Sequence, residues 1–433
     1  MNTIWEQIAT HWVTFPLLIP LLGAFLTPFL GKGRPNFRRS FSVGALFLTA
    51  AASIFALLQA AGADAPIVYG VGGWQPPFGI VLVVDRLSAL LVTMTSLLGL
   101  GAHLYAMFGD DQRRRYFHFF LLVQVAGING AFLTGDLFNL FVFFEILLIA
   151  SYNLLVYGGG ERRTKAGIHY VVINLVGSSL FLIAVGVLYA LTGTLNIADM
   201  ALQAAALPAE DAALARSAAT MLTIVFGIKA ALLPLYFWLP RAYSSATASA
   251  AAIFAVMTKV GIYAILRTST IIFGEAGGVV ADITGGWLIP LSLVTLALGV
   301  LGVLAARRLR VLVAYLVIVS VGTILLPVAL RTPESIAAAL YYLIHSTFIT
   351  AGLFVIADMI ADRRGDAEDS LVEGPGIATP SWLGVMFFVG AIAVVGLPPL
   401  SGFVGKLMIL EAVVTSGWAP WIWGAVLGGG LLT

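Results

Sequence analysis

The chain has 433 residues, of which 60% are hydrophobic and only 10% are charged, and its formal net charge is +2. Soluble domains carry about 25% charged residues, so this composition and a mean hydropathy of +1.00 exclude a water-soluble globular protein. The sequence contains no cysteine, which excludes disulfides, thiolate chemistry and cysteine-ligated iron–sulfur clusters. We therefore predict an all-α polytopic membrane protein.

The first residues, MNTIWEQIATHWVTF, have no basic region before the apolar segment and carry Glu6. A cleaved secretory signal is therefore not expected, and the first apolar segment is predicted to span the membrane. About twelve segments are apolar and long enough to cross roughly 30 Å of hydrocarbon as helices. They are 12–30, 41–61, 80–108, 116–134, 137–157, 166–192, 217–239, 247–266, 283–305, 311–330, 335–360 and 382–414. A further apolar run, 418–432, is expected to be a thirteenth helix that is cut short.

Basic residues occupy alternate loops of this arrangement, as the positive-inside rule requires. The odd-numbered loops hold sixteen of them, namely Lys32, Arg34, Arg38, Arg39, Arg113, Arg114, Arg115, Arg162, Arg163, Lys165, Arg241, Arg307, Arg308, Arg310, Arg363 and Arg364. The even-numbered loops and their margins hold four, namely Arg86, Arg216, Arg267 and Arg331. The odd loops are therefore predicted to be cytoplasmic and the N-terminus to lie outside.

One carboxylate and three amines fall inside predicted spans. Glu145 lies in the apolar stretch GDLFNLFVFFEILLIASYN, and the amines belong to Lys229, Lys259 and Lys406. A lysine at the bilayer centre costs about 2.5–3.5 kcal/mol on the insertion scale, so these groups are expected to face one another or water. A row of amines in low dielectric suits proton transfer, because burial and like-charged neighbours favour release of the proton near the working pH.

Two structural alternatives compete with proton transfer. The first is snorkelling, in which the long lysine stem carries the amine to the membrane interface. A stem reaches only about 6 Å, whereas Lys229 and Lys259 lie roughly 18 Å into their spans at 1.5 Å per residue. A static ion pair between Glu145 and one lysine would lock two helices, but it leaves two further lysines without a mid-span acid. His345, in LYYLIHSTFITAGLF, fits either a satisfied structural donor or a relay group. Few histidines and carboxylates lie inside spans, so no metal, haem or other cofactor is predicted.

Two of the predicted spans contain helix-breaking residues. FGIKAALLPLYFWLP carries Pro234 just over one turn after Lys229, and VVGLPPLSGFVGKLM carries Gly396, Pro398 and Pro399 about two turns before Lys406. Proline removes a backbone donor, and the freed carbonyls need water or polar partners inside the membrane. Paired interrupted helices in two halves of a chain are typical of inverted repeats with an ion site between them.

These motifs resemble the antiporter-like subunits that multisubunit cation/proton antiporters share with respiratory complex I. The similarity runs from about Trp74 to Lys406 and includes GGWQPPFGIVLVVDRLSALL, GDLFNLFVFFEILLIASY, IKAALLPLYFWLPRAYSSA, MTKVGIYAILR and GLPPLSGFVGKLMIL, in that order. Within the family, the chain is most similar to D-type subunits of Mrp sodium/proton antiporters, because complex I members more often carry histidine where Tyr236 and Tyr243 stand here.

The resemblance implies a fourteen-helix antiporter-like fold with two inverted five-helix repeats, each with a broken helix. The corresponding segments are 1–115 for helices 1–3, 116–275 for helices 4–8, and 282–433 for helices 9–13, with the chain truncated in helix 13. It also implies a hydrated axis in which Glu145 and Lys229 form a coupling pair, Lys259 and His345 continue the relay, and Lys406 is the terminal group. In some relatives a lysine follows the histidine by four residues, whereas this chain has Ile349. The long lateral helix of one family member is also missing.

The resemblance favours a proton-translocating subunit of a multisubunit Na+/H+ antiporter in the bacterial cytoplasmic membrane, with other membrane subunits and lipids as partners and no nucleic acid. The alternative is a proton-pumping subunit of a complex I-like or membrane-hydrogenase redox complex. A polytopic enzyme acting on lipid-linked substrates is disfavoured, because it would need acids or histidines at one membrane face.

Overall fold

A computed structural model describes residues 11–30, 35–112, 116–373 and 381–433, which are mostly helical. The predicted all-α class is confirmed. Glu6 and five basic residues of the predicted cytoplasmic loops, Lys32, Arg34, Arg113, Arg114 and Arg115, lie outside the described residues.

The described ranges contain seventeen α-helices, numbered here in chain order. They are α1 Phe15–Leu26, α2 Pro35–Gly62, α3 Arg86–Ala106, α4 Phe117–Leu133, α5 Leu137–Val156, α6 Glu161–Thr192, α7 Ile197–Ala205, α8 Ala212–Ala230, α9 Trp238–Ser245, α10 Ala248–Phe254, α11 Met257–Ile271, α12 Leu288–Ala305, α13 Leu309–Leu330, α14 Pro333–Ala361, α15 Ser381–Val395, α16 Ser401–Ala412 and α17 Ala419–Leu432. Among these residues, nine helical segments are long and apolar enough to cross a membrane, and four shorter helices are also apolar. The chain is a multi-pass membrane protein.

The predicted span 80–108 is wrong at its beginning, because a short hairpin precedes the helix. Strand β1 (Ile67–Gly70) pairs antiparallel with β2 (Val81–Val84), with Ile67 opposite Val84 and Gly70 opposite Val81. Asp85 then caps α3, since its side chain accepts from the Ser88 backbone N–H at 2.8 Å while the Ser88 hydroxyl accepts from the Asp85 N–H at 2.9 Å. A short apolar run such as VLVV fits a strand as well as a helix end.

Three predicted spans are each divided into two helices. The spans 217–239 and 382–414 are divided at the segments that contain Pro234 and the Pro398–Pro399 pair. The span 247–266 is divided between α10 and α11 without a proline or glycine. There the Val256 N–H donates to the carbonyl of Ile253 and the Lys259 N–H to that of Val256, so the chain passes through tight three-residue turns.

The chain forms two compact units. One comprises residues 1–160, 174–222 and 267–282, and the other comprises 161–173, 223–266 and 283–433. The repeat boundaries 1–115, 116–275 and 282–433, and the inverted symmetry between the repeats, stay predictions.

In the first unit α4 packs against α1, α3 and α5. Most of its side chains are buried, including Gln124 and Asn129. A side chain on Gly127 would place its Cβ 2.8 Å from the backbone nitrogen of Leu147, so the backbones of α4 and α5 touch directly. Small residues allow such close approach where helices pack inside a membrane.

In the second unit α13 packs against α9, α12 and α14, and α14 also contacts α10, α15 and α16. Every residue from Leu316 to Ala329 is buried. A Cβ on Gly322 would lie 2.7 Å from the backbone nitrogen of Leu296, which brings α13 against α12 in the same way. Residues 242–266 are also buried without exception.

Within the first unit, an ion pair joins Asp85, the residue after the hairpin, to Arg267. Arg267 donates both terminal nitrogens to the Asp85 carboxylate, one of them at 2.9 Å, and both side chains are mostly buried. Burial acts to raise the pKa of Asp85, but the hydrogen bonds and charge of Arg267, with the bonds to Ser88, outweigh it and lower the pKa below its ordinary value of 3.8.

Asp85→Asn is expected to lower the free energy of unfolding by about 2 kcal/mol, because asparagine keeps the helix cap but loses the charged hydrogen bonds. Since the folded carboxyl has the lower pKa, the pair stabilises the protein above pH 3.8 and its contribution disappears as pH falls through the folded pKa. Thermal unfolding of both proteins in detergent between neutral and acid pH should show a difference that shrinks only in acid. Asp64→Asn, in the exposed loop before the hairpin, should have no comparable effect, and a pH-independent difference would contradict the assignment.

Candidate functional site: charged groups beside interrupted helices

The predicted site residues are divided between the two units. Glu145 lies on α5 in the first unit, whereas Lys229, Lys259, His345 and Lys406 all lie in the second. The three lysines are at most 8% exposed, and His345 is 9% exposed. Snorkelling would require the amines to extend to the surface of the chain. None of the three does so.

Glu145 is held in the first unit by a hydroxyl group. It is half-buried, and Ser178 on α6 donates a short hydrogen bond to its Oε1. The start of α5 is fixed by Asp136, whose Oδ1 accepts from the Asn139 N–H at 2.7 Å, and by Thr134, which accepts from the Asn139 side chain at 3.0 Å. These contacts set the position of the carboxylate along the helix.

Lys229 lies in the last turn of α8, directly before the first interruption. The helix ends at Ala230, and Ala231 takes a left-handed φ of 61°. The interrupted segment contains Pro234, and its backbone finds side-chain partners: the Leu233 N–H donates to the Thr295 hydroxyl at 3.1 Å, and the indole of Trp238 donates to the Ile228 carbonyl at 3.2 Å. The broken helix therefore satisfies polar groups that a bilayer would leave without partners.

Lys259 is fully buried on α11. Its amine donates to the Ser320 hydroxyl on α13 at 2.9 Å, and that hydroxyl donates in turn to the Val317 carbonyl at 2.7 Å. Within the described part of the chain, the acceptor of Lys259 is therefore a neutral hydroxyl from a neighbouring helix.

Gly261 brings α11 directly against the end of α8. A Cβ at this position would lie 2.5 Å from the Ala230 backbone nitrogen and 2.8 Å from the Phe226 carbonyl oxygen. Because Lys229 precedes Ala230 and Lys259 lies two residues before Gly261, this contact sets the spacing of the two helix segments that carry the amines.

Lys406 on α16 contacts the second helix interruption. Helix α15 ends at Val395, Gly396 follows with φ of 82°, and α16 begins at Ser401. Pro398 and Pro399 lie between them. The Lys406 amine folds back and donates to the carbonyls of Val394 at 3.1 Å and Val395 at 2.7 Å. The amine thus occupies the carbonyl end of a half-helix, where the helix dipole favours a cation.

His345 lies on α14 beside the start of α16. Its Nδ1 is 2.9 Å from the Ser401 hydroxyl, and a Cβ on Gly402 would lie 2.9 Å from its Nε2. The ring is 5.7 Å from that of Tyr342, one turn earlier on α14. His345 therefore contacts the helix segment that carries Lys406.

Several buried hydroxyl groups lie on the helices that carry or contact Lys259 and His345. Ser320 and Thr323 lie one turn apart on α13 and are both buried, and the buried Tyr342 on α14 lies near Thr323. Reasoning from charged groups alone does not find these hydroxyls or that of Ser401. The spacing of Ser320 and Thr323, and of Tyr342 and His345, is the one-turn pattern that could have indicated them.

A second buried polar cluster lies in the first unit, at the ends of α2, α3 and α4. Arg39 donates to both oxygens of Asp111, at 2.5 and 2.7 Å, and His118 Nε2 lies 3.4 Å from the same carboxylate. The rings of His103 and His118 are 4.9 Å apart. The sequence indicated no role for these histidines, because they fall near span ends.

The described helices, with three buried amines on the segments that adjoin helix interruptions, define a multi-pass membrane protein. Residues 134–433 match the NADH:quinone oxidoreductase/Mrp antiporter transmembrane family, and the chain belongs to that family.

Two relatives and two solved structures illustrate this membership. The chain is 41% identical over 426 residues to the D-type subunit of a probable K+/H+ antiporter of Rhizobium meliloti, covering 93% of this chain and 79% of the relative. It is 40% identical over 415 residues to the D-type subunit of the Na+/H+ antiporter of Bacillus subtilis, covering 94% and 81%. A chain of the Mrp complex from Dietzia superimposes with a TM-score of 0.85 at 30% identity, covering 98% and 78%. A chain of an archaeal membrane-bound sulfane sulfur reductase gives 0.89 at 27%, covering 97% and 85%.

Ser320→Ala is expected to destabilise the protein by about 1–3 kcal/mol, because the fully buried amine of Lys259 loses its acceptor. Thermal unfolding of the purified protein in detergent measures this loss. Ser217→Ala is the control, since that serine is exposed on α8 and donates to the Ala213 carbonyl of its own helix. Equal unfolding temperatures for the two variants would show that Lys259 does not depend on Ser320.

Gly261→Ala is expected to lower the free energy of unfolding by about 1–3 kcal/mol, because the new methyl group overlaps the backbone of α8. Gly227→Ala is the matched control on α8, where a Cβ would meet only the Leu232 side chain at 3.5 and 3.7 Å. In the same unfolding assay the Gly261→Ala protein should be less stable than the Gly227→Ala protein. A Gly261→Ala protein as stable as Gly227→Ala would mean that the two helices can separate without cost.

Proposed function

We propose that the chain is a proton-translocating subunit of a multisubunit monovalent cation/proton antiporter. The observation that supports this proposal most directly is the set of three buried lysines beside two interrupted helices. Relatives named as D-type subunits of Na+/H+ and K+/H+ antiporters, similar over more than nine-tenths of this chain, support the antiporter assignment over a catalytic enzyme. Na+ is the cation that we assign to extrusion, in exchange for protons.

In this proposal Lys259, His345 and Lys406 are successive proton-transfer sites in the second unit. A buried ammonium is costly in low dielectric, and releasing its proton removes that cost. The hydroxyls of Ser320, Thr323 and Tyr342 supply polar groups between Lys259 and His345, and Ser401 supplies one beside Lys406. Water at the two interrupted segments, which contain Pro234 and the Pro398–Pro399 pair, would complete the relay.

Glu145 and Lys229 are proposed to couple proton movement to cation movement. The carboxylate favours the protonated amine, so a change in charge at either group alters the equilibrium at the next. A static ion pair would serve only to lock helices. The two roles predict different effects of neutralising Glu145. If the pair locks two helices, the complex is destabilised. If the pair belongs to a proton relay, the complex still assembles but no longer transports.

The complex is proposed to lie in the bacterial cytoplasmic membrane with the N-terminus of this chain outside. The alternation of basic residues between loops supports that orientation. The likeness to a chain of the Mrp complex supports other membrane subunits as partners, with H+ and Na+ as transported ions and lipids at the perimeter.

A redox-driven proton pump is the second candidate. The likeness to a chain of an archaeal respiratory membrane complex, at a TM-score of 0.89, supports it. In such a pump the same buried residues would move protons, and electron transfer would supply the energy. Vesicles containing the intact complex separate the two: Na+-dependent proton movement at constant electron flux supports antiport, and proton movement that follows electron flux without Na+ supports the redox pump.

Glu145→Gln and Lys229→Gln are each expected to reduce Na+-driven proton exchange in such vesicles by about two orders of magnitude or more, because each removes a group that must gain or lose charge. Glu161→Gln is the control, since that carboxylate is exposed and pairs with Lys165 on the surface. Assembly of the complex is checked by co-purification of its subunits. Exchange at the control rate in either variant contradicts the coupling role, and loss of assembly indicates the static ion pair.

A further inference from the structure

A cavity of about 690 Å³ opens on the second unit and carries a concentration of positive charge. Its walls come from the start of α6, from α9 and from the start of α13. Arg162, Lys165 and Arg241 line it, and among the described residues that form its walls there is no aspartate or glutamate. All three lie in loops or helix ends that the positive-inside rule assigns to the cytoplasm.

The electrostatics of this cavity select an anion. Arg308 and Arg310 also act on Arg162, but they are paired with Glu368, Asp369 and Asp358, so the positive charge of the cavity comes from its own lining residues. Lys165 pairs with Glu161 at 2.6 Å, but both side chains are at least 75% exposed, so the pair is weak. A group of cations repels H+ and Na+, which makes the cavity unsuitable as a vestibule for either transported ion.

The same cavity has an apolar side that continues into the membrane. Ile168 and Val311 contribute to its lining, and Val172 follows Ile168 one turn deeper on α6. Ile168 and Val172 are 61% and 56% exposed. A cationic rim above an exposed apolar helix face matches an amphipathic ligand that has an anionic head and a hydrocarbon tail.

The cavity wall is held in place by contacts between α6 and α9. Arg163 donates through Nε to the Ser245 carbonyl at 2.9 Å, and the Tyr170 ring stacks on Trp238 at 5.1 Å. The Arg162 and Arg241 side chains therefore extend from two helices whose relative position is fixed. Preorganised donors of this kind bind phosphate with little loss of conformational freedom.

We propose that this cavity binds the phosphate headgroup of an anionic phospholipid from the cytoplasmic leaflet. Arg162 and Arg241 contact the phosphate, Lys165 and the Tyr315 hydroxyl complete the polar rim, and an acyl chain runs along Ile168 and Val172. The site does not depend on the proposed transport function, because none of its residues belongs to the proton relay.

The test compares Arg162→Gln/Arg241→Gln with Arg307→Gln/Arg363→Gln in the complete purified complex. The control removes two exposed arginines of the same predicted face that do not line the cavity. Phosphatidylglycerol is titrated into the delipidated complex and its occupancy is read by native mass spectrometry, with phosphatidylcholine and inorganic phosphate as separate probes. Each cation near an anionic headgroup contributes roughly a fivefold change in affinity, so the cavity variant should bind phosphatidylglycerol about thirtyfold more weakly.

The control variant should bind phosphatidylglycerol as the wild type does, and phosphatidylcholine should bind weakly to both. Equal affinity of the two double variants for phosphatidylglycerol overturns the proposal. So does equal binding of phosphatidylcholine, which would indicate an apolar site only, or full displacement by inorganic phosphate, which would indicate a site for free anions. If the double variant does not assemble, Arg241→Gln alone is titrated, with an expected weakening of about fivefold.

Discussion

An amine inside a membrane protein must find oxygen acceptors where helices normally offer none, and this requirement explains the helix interruption beside Lys406. An intact helix uses its carbonyls internally, so it cannot solvate a cation. Where α15 stops at Val395, its last carbonyls become available, and the amine of Lys406 donates to two of them. The break and the charge therefore stabilise each other, because each supplies the hydrogen-bonding partner that the other lacks.

Close helix contacts position these groups. The backbone of α11 touches that of α8 at Gly261, and the break after α8 is fixed by Thr295 and by the Trp238 indole. On the other side, Ser401 and Gly402 bring the start of α16 against His345. Protein interiors are packed too densely for such groups to shift independently, so the geometry around each charged side chain is set by the helix backbones.

The sequence predicted the membrane class, about twelve apolar spans with a further apolar run, and the residues at the two proline-containing interruptions. Charge, proline and hydropathy are local signals, so they can be read from short segments. Hydrophobicity could not reveal that VLVV is a strand, since a short apolar run fits both structures. The division between α10 and α11 has no proline or glycine to mark it. The pairing of Lys259 with Ser320 joins residues 61 positions apart, and no single-helix pattern contains that information.

The chemical character of the acceptors decides what the buried amines can do. Within the described residues, the hydrogen-bond partners of Lys259 and Lys406 are one hydroxyl and two carbonyls. A buried carboxylate partner would fix the proton on the amine, because separating such a pair leaves an uncompensated charge. Neutral acceptors stabilise the ammonium form without holding it so strongly, and a hydroxyl can still donate to an amine that has lost its proton. A charge that arrives at a neighbouring group then shifts the protonation equilibrium of the amine. A proton relay needs this property, and a structural ion pair lacks it.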